Sequence, residues 1–381
     1  MGIGREKIYT LAYADDLVLL TESEKEMKEM LRVLERYSDK LKLTLSVPKS
    51  KILIFKKGRG KKTKEEWKWK GETVEEVKEF KYLGFVYRPD KHIQEVKRKA
   101  VAAIRQVWYI GKKLFYENVE RRMKLFDQLV KGILYYGVEV WGWQEWEDLE
   151  AVQARYLRWI LELDRSTPGY IVRDECKRRK LRVETGTRAA RYEEKIRKDT
   201  KSKLVKEVLR EMDRKKDEMG GSKWMQSRKK YYERCGWSEV EVENMRRGEM
   251  DVVKEMRKRD EILMTQEEDN KIQSSRYNTK YKEIRTTELP EYMKRTGRGQ
   301  ILLARFRVGN EEEENKYWRR EGRTCGICKE GKDNLEHWTE ECVMERGWTW
   351  REVLREDGRG EKWLREIKKR KKEKEKKENK K

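Results

Sequence analysis

Two histidines and four prolines are all that 381 residues contain of those types, and no run of about 18 apolar residues occurs anywhere. The scarcity of histidine excludes a histidine-rich metal centre. The missing apolar run excludes a membrane-spanning helix, and Met1 to Tyr9 lack the apolar segment of a secretory leader, so an intracellular protein without a membrane partner is expected. Five cysteines in so long a chain make no disulfide framework. With prolines confined to positions 48, 89, 168 and 290, and with abundant Lys, Glu, Arg, Leu and Met, most of the chain is expected to be helical. What is present in excess is charge. Lys and Arg number 96 against 72 Asp and Glu, a net charge of +24, and charged residues make up 44% of the chain. A polyanion is the expected partner, bound through phosphate contacts and counterion release, although the same surface could meet an anionic membrane or serve solubility.

The pattern changes along the chain. Ile8 to Ala12 and Leu17 to Leu20 are short β-compatible runs on either side of Tyr13-Ala14-Asp15-Asp16, the arrangement of two strands and a tight turn. Ser23 and Glu26 have capping-box spacing, and Met27, Met30, Leu31, Leu34 and Leu41 recur at helical intervals, so a helix follows. Leu43 to Leu45, Ile52 to Phe55 and Phe80 to Tyr87 read as strands, the last bent at Gly84. From Ile93 onward three helical stripes appear: Ile93, Val96, Ala100, Ile104 and Val107; Phe126, Leu129, Val130 and Ile133; Leu149, Val152, Tyr156, Trp159 and Leu163. Residues 175–290 are charged, sparse in apolar positions and broken at Gly220-Gly221 and Gly236, which suggests loosely packed or extended helices. The last fifteen residues hold ten basic and three acidic side chains and are expected to be disordered. No internal repeat is found.

Two constellations carry chemistry. Nucleotidyl transfer uses two divalent ions held by carboxylates on rigid strands, and a hairpin tip would hold Asp15 and Asp16 in such a cage, with oxygen ligands suited to Mg²⁺. An Asp-rich turn is the plain alternative. The second is Cys325-x2-Cys328-x8-His337-x4-Cys342, three thiolates and an imidazole suited to a closed tetrahedral Zn²⁺ site. Reduced thiols near a buried histidine are its plain alternative. Gly326 and Gly331 would allow the turns around the first pair. The fourteen tryptophans, among them Trp108, Trp141 and Trp159, fall mostly on apolar stripes and read as core; Trp338 is the best candidate for a base-stacking platform. Cys176, Cys235 and His92 have no partner pattern.

Taken together, Tyr13-Ala14-Asp15-Asp16 between apolar strands, Leu45-Ser46-Val47-Pro48-Lys49-Ser50-Lys51, Phe80-Lys81-Tyr82-Leu83-Gly84-Phe85 and Tyr135 to Trp141 resemble, in order and spacing, the reverse transcriptases of non-LTR (LINE-type) retrotransposons. Ser46 stands where that family usually has Asn. The Cys-Cys-His-Cys unit also resembles one found downstream of the polymerase in such elements, some insect elements especially, where an Arg-x-Gly segment like Arg307-Val308-Gly309 precedes it and an Arg such as Arg346 follows. The resemblance implies an α+β fold: a partial reverse transcriptase palm over residues 1–90, a helical thumb-like region over 91–165, a charged helical connector over 166–300, a zinc-binding unit over 301–350 and a basic tail over 351–381.

It further implies that Asp15 ligates Mg²⁺ or Mn²⁺, that Asp16 assists, that Tyr13 lies near primer and nucleotide, and that Lys49 protonates pyrophosphate, although Lys49 could equally be a solvated strand-edge residue. RNA template and DNA primer or target are the implied partners. The family places a further metal-binding aspartate and a fingers subdomain before this hairpin, and Met1 to Ala12 cannot house them. The expectation is therefore an incomplete polymerase site, inactive without the upstream half of the same element's polyprotein. A non-catalytic, zinc-dependent RNA- or DNA-binding protein is the alternative, and a truncated gene or decayed element is a third reading. No nuclease constellation is found. The basic tail suggests a nuclear location, RNA binding, or a plain solvated terminus.

Overall fold

The computed structural model describes residues 2–3, 6–55, 66–87, 89–199, 201–219, 222–297, 299–311, 324–342 and 347–378. Arg346, the Gly220-Gly221 break and the last three residues of the tail lie outside that set. The fold is α+β with helix predominating, and the chain divides into two compact units, residues 1–94 with 191–228 and residues 95–190 with 229–381. No helix among the described residues is long and apolar enough to cross a membrane.

In the first unit the strands pair two by two. Thr10–Tyr13 and Asp16–Leu19 form an antiparallel hairpin, and Lys51–Leu53 lies parallel to Glu75–Val77, with Lys51 bonded to Glu75 at 2.8 Å. Lys68–Trp69 and Glu72–Thr73 make a further hairpin that the periodicity of the sequence did not announce. Its tryptophans explain it: Trp67 and Trp69 are buried with Leu31, Ile52 and Val74, and Leu19, Met27, Leu34, Leu45, Val47 and Ile54 pack around them. That cluster is the unit's hydrophobic centre. The helix Glu24–Leu41 faces it with Met27, Leu31 and Leu34, in i, i+4, i+7 order.

Two local expectations need correction. Leu43 to Leu45 form no strand, because the helix ends on Lys42 in the left-handed region (φ 53°) and the Leu43 N–H is donated to the Ser38 carbonyl at 2.9 Å. Its backbone is already committed to capping the helix. Phe80 to Tyr87 is not one bent strand but a hairpin, Lys81–Tyr82 against Phe85–Val86, turning at Leu83 and Gly84, both at positive φ. Such a turn matches the strand twist that a two-residue hairpin needs. The Ser23 cap is present, accepting from the Glu26 N–H at 3.2 Å, but the Glu26 carboxylate accepts from Glu22 N–H instead of closing a box onto Ser23.

The second unit is helical. Three of its helices, Pro89–Phe115, Val119–Leu129 and Glu147–Ile160, bury the expected stripes, with Ala100, Ile104, Phe126, Val152 and Tyr156 essentially inaccessible. Leu129 is exposed, and Ile133 is half-buried. Trp141 is buried, while Trp108 and Trp159 are half-buried and meet edge to face with centroids 6.2 Å apart. Downstream, the charged segments on either side of residues 201–214 are not loosely packed, whereas residues 201–214 bury no side chain. Arg182 reaches Glu145 at 2.8 Å and Glu267 at 3.0 Å, Arg234 reaches the fully buried Asp260 at 3.2 Å, and Arg173 holds Glu268 at 2.6 Å. Charge here supplies the interior contacts that apolar side chains supply elsewhere, a pattern invisible to hydrophobic periodicity. Nor is the tail disordered over its described length. Glu361–Glu378 is a helix whose Trp363, Leu364 and Ile367 are buried.

Candidate metal centres

The aspartate hairpin follows from its register. Tyr13 stands opposite Asp16, Ala12 opposite Leu17, Leu11 opposite Val18 and Thr10 opposite Leu19, leaving Ala14 and Asp15 as a two-residue turn. Because side chains alternate across a strand, Thr10, Ala12, Leu17 and Leu19 share one face and Leu11, Tyr13, Asp16 and Val18 the other. Leu19 packs on the Trp67 and Trp69 cluster, so the Tyr13 and Asp16 face is the one turned away from it. Tyr13 is 63% exposed, and Asp15 and Asp16 are exposed with it. Ala14 holds φ 51°, a conformation that costs a residue with a Cβ roughly 1–2 kcal/mol. Strain at such a tip is a common companion of a functional turn.

Among the described residues no third carboxylate, Cys or His gathers with Asp15 and Asp16 into a metal-holding group. Lys49 is exposed in the turn over 47–49, its N–H donated to the Ser46 carbonyl at 3.1 Å, just before a strand that pairs with Glu75–Val77 and not with the hairpin. The structure thus brings Tyr13, Asp15 and Asp16 together on one tip and sets Lys49 in a separate turn, before a strand that does not pair with the hairpin.

The Cys and His cluster is assembled. Cys325, Cys328, His337 and Cys342 offer four ligand atoms that all lie within 4.8 Å of one another. A group of that size can close around an ion whose bonds are about 2.0–2.3 Å long, and three thiols with an imidazole are the donor set of structural zinc. Local geometry shows why these residues meet. A single bridge pairs Thr324 with Lys332, Cys325 N–H donates to the Gly331 carbonyl at 3.1 Å, and Lys329 and Gly331 both take positive φ. The resulting loop aims the N–H of Ile327 at the Cys325 sulfur and that of Glu330 at the Cys328 sulfur, each at 3.4 Å. Such N–H donors stabilise thiolate over thiol.

His337 opens a short π-helical turn, His337–Glu341, after which Cys342 N–H donates to the His337 carbonyl at 2.7 Å. The wider turn brings Cys342 back beside His337. The His337 Nδ1 lies 3.0 Å from Glu341 Oε2 and the Nε2 lies 3.1 Å from the Cys328 sulfur. With Nδ1 donating to the carboxylate, Nε2 is left to face the thiols, the arrangement that orients a ligating imidazole. Desolvation pushes the Cys328 thiol up, but the Glu330 N–H, His337 and the neighbouring thiols outweigh it and bring it down to about 7. Burial lowers His337, and its contacts with Glu341 and Cys328 raise it overall.

Trp338 is corrected from stacking platform to core. It is buried, its Nε1 donates to Asp333 at 3.0 Å, and it meets Phe306 edge to face. Glu341 and Asp333 were not singled out from the sequence, though Glu341 stands four residues after His337, the spacing that puts both on one helical face. Arg307 is buried as well, so the Arg-x-Gly segment is structural.

Residues 3–87, the segment that bears the aspartate hairpin, match the family described as reverse transcriptase (RNA-dependent DNA polymerase). Nucleic acid template and primer are the partners such a domain binds. No curated protein and no solved structure matches the chain.

Proposed function

We propose that the chain is the carboxy-terminal part of an RNA-directed DNA polymerase of the non-LTR (LINE-type) retrotransposon kind, acting in the nucleus on an RNA template and a DNA primer or target. The observation that carries this reading is the exposed Tyr13, Asp15 and Asp16 tip lying inside the segment that matches the reverse transcriptase family. Mg²⁺ or Mn²⁺, when bound, would supply activation of the primer hydroxyl and charge neutralisation at the leaving pyrophosphate. Asp15 and Asp16 are the residues that would hold it, and their hard oxygens fit such an ion. Tyr13, on the same exposed face as Asp16, is assigned contact with the primer end, and Lys49 is assigned the proton given to pyrophosphate.

Two carboxylates with no third among the described residues make a weak cage, since phosphoryl-type transfer depends on electrostatic stabilisation of developing charge. The proposal therefore includes a partner segment, the upstream half of the same polyprotein, that brings the remaining carboxylate. The Cys325, Cys328, His337 and Cys342 group is assigned to zinc in a structural role. A primer-extension assay on a primed RNA template with Mg²⁺ tests the reading: the chain without such a segment is expected not to extend, and extension that Asp15→Ala abolishes would refute the need for a partner. A zinc-dependent binding protein without catalysis is the reading favoured if nucleic-acid binding disappears in Cys328→Ser, persists in Asp15→Ala, and no partner segment restores extension.

A further inference from the structure

The helix Glu361–Glu378 does not end the molecule as a free basic tail; it is seated on the Cys and His unit. Lys371 ion-pairs with Asp333 at 2.6 Å and lies 3.5 Å from the centroid of the Trp338 ring. Asp333 in turn accepts from Trp338 Nε1 and from the Gly326 N–H at 3.4 Å. Lys374 donates to the Ile327 carbonyl, and Lys368 pairs with Glu311 at 2.8 Å. The berth is thus made from residues interleaved with the ligands: Gly326 and Ile327 lie between Cys325 and Cys328, Asp333 and Trp338 on either side of His337.

Seating one face commits the other. Trp363, Leu364 and Ile367 are buried, whereas Lys362, Arg365, Lys369 and Lys372 are exposed at intervals of three, four and three residues, which places them along one side of the helix. Arg365 is paired with Glu361, while Lys362, Lys369 and Lys372 make no ion pair among the described residues. Glu366, at the margin of the row, is held by Arg370 at 3.1 Å. Glu373 is the exposed acid that remains beside it.

We propose that this basic row is a docking surface for a nucleic-acid backbone, and that an ion held by Cys325, Cys328, His337 and Cys342 controls it by fixing the berth on which the helix sits. Four cations along one rigid side complement the regular phosphates of a duplex, and the rest of the chain's positive excess favours the same partner. The inference rests on the reading of the chain as a nucleic-acid enzyme for the nature of its partner, but not on catalysis.

The test is equilibrium binding of the zinc-loaded full chain to a short labelled RNA–DNA duplex across a range of salt, without nucleotides. Lys369→Glu with Lys372→Glu is expected to flatten the slope of log K against log salt by roughly two, about 0.9 for each phosphate no longer neutralised, with no change in the circular dichroism of the folded chain. Chelation of zinc, or Lys371→Ala with the row intact, is expected to flatten it likewise and to speed tryptic cleavage within residues 362–372. An unchanged slope in the double variant overturns the docking surface, including the case in which only anionic vesicles respond to it. Unchanged cleavage and slope after chelation overturn the control by metal. Failure of primer extension by the chain joined to an upstream fingers and palm segment, with the slope effects present, would count against the polymerase reading instead.

Discussion

Gly331 meets two demands that no other residue meets together. Its φ of 65° lies in the left-handed region, and a Cβ there would stand 2.5 Å from the ring of His337. Gly331→Ala is expected to push the imidazole off Glu341 and the thiols, lowering zinc affinity about tenfold or more as judged by competition with a chromophoric chelator, while leaving the first unit's fold intact. An unchanged affinity would show that the ring can be accommodated elsewhere. At this scale the sequence was legible where chemistry fixes the residue type. Thiolates and imidazole announce a metal group, whereas the paired aspartates at a turn gather no third ligand among the described residues. Glu341 and Asp333 were not legible because carboxylates are plentiful in this chain, and only the fold says which of them touches His337 or Trp338.

Arg307 shows how elements are joined in the second unit. Its guanidinium meets Glu175 at 2.6 and 3.3 Å, donates to the Ile284 carbonyl at 3.0 Å and also to the Leu354 carbonyl, while Tyr292 donates to Glu175 at 2.6 Å. One buried side chain therefore ties the helices Gly169–Glu175, Tyr281–Ile284, Gln300–Arg307 and Trp350–Val353. Arg307→Met leaves the Glu175 carboxylate buried without its cation and is expected to destabilise the unit by about 3–5 kcal/mol in chemical denaturation. Adding Glu175→Leu is expected to recover part of that loss. A double variant no more stable than the single one would mean that the pair holds little beyond packing. The three helical stripes after Ile93 were readable because apolar side chains repeat at the helical period. The packing of the connector outside residues 201–214 is not legible in the sequence because its interior contacts are ionic, and that of the tail because its apolar residues, Trp363, Leu364 and Ile367, precede the lysine run that dominates its composition.

Across the whole molecule, the +24 charge, the family match over residues 3–87 and the assembled Cys and His group support the proposal of a nucleic-acid enzyme, and its two candidate sites stand in different states of completion. The four candidate zinc ligands gather within the chain. Asp15 and Asp16 lie as a pair on a strained, exposed tip, with Asp16 on the face of the hairpin turned away from the tryptophan cluster. That asymmetry is the reason to assign the active site to two segments and the structural site to one. It was legible in outline from Tyr13 to Asp16 and from Cys325 to Cys342, whereas the burial of Trp338 and the seat of the tail needed the fold. The most direct measurement is primer extension by this chain joined to an upstream fingers and palm segment bearing the third aspartate. Mg²⁺-dependent extension that Asp15→Ala or Asp16→Ala abolishes is the result expected. Extension that survives loss of both aspartates, or none from the joined chain when its fold and duplex binding are intact, would contradict the assignment of this hairpin to the polymerase centre.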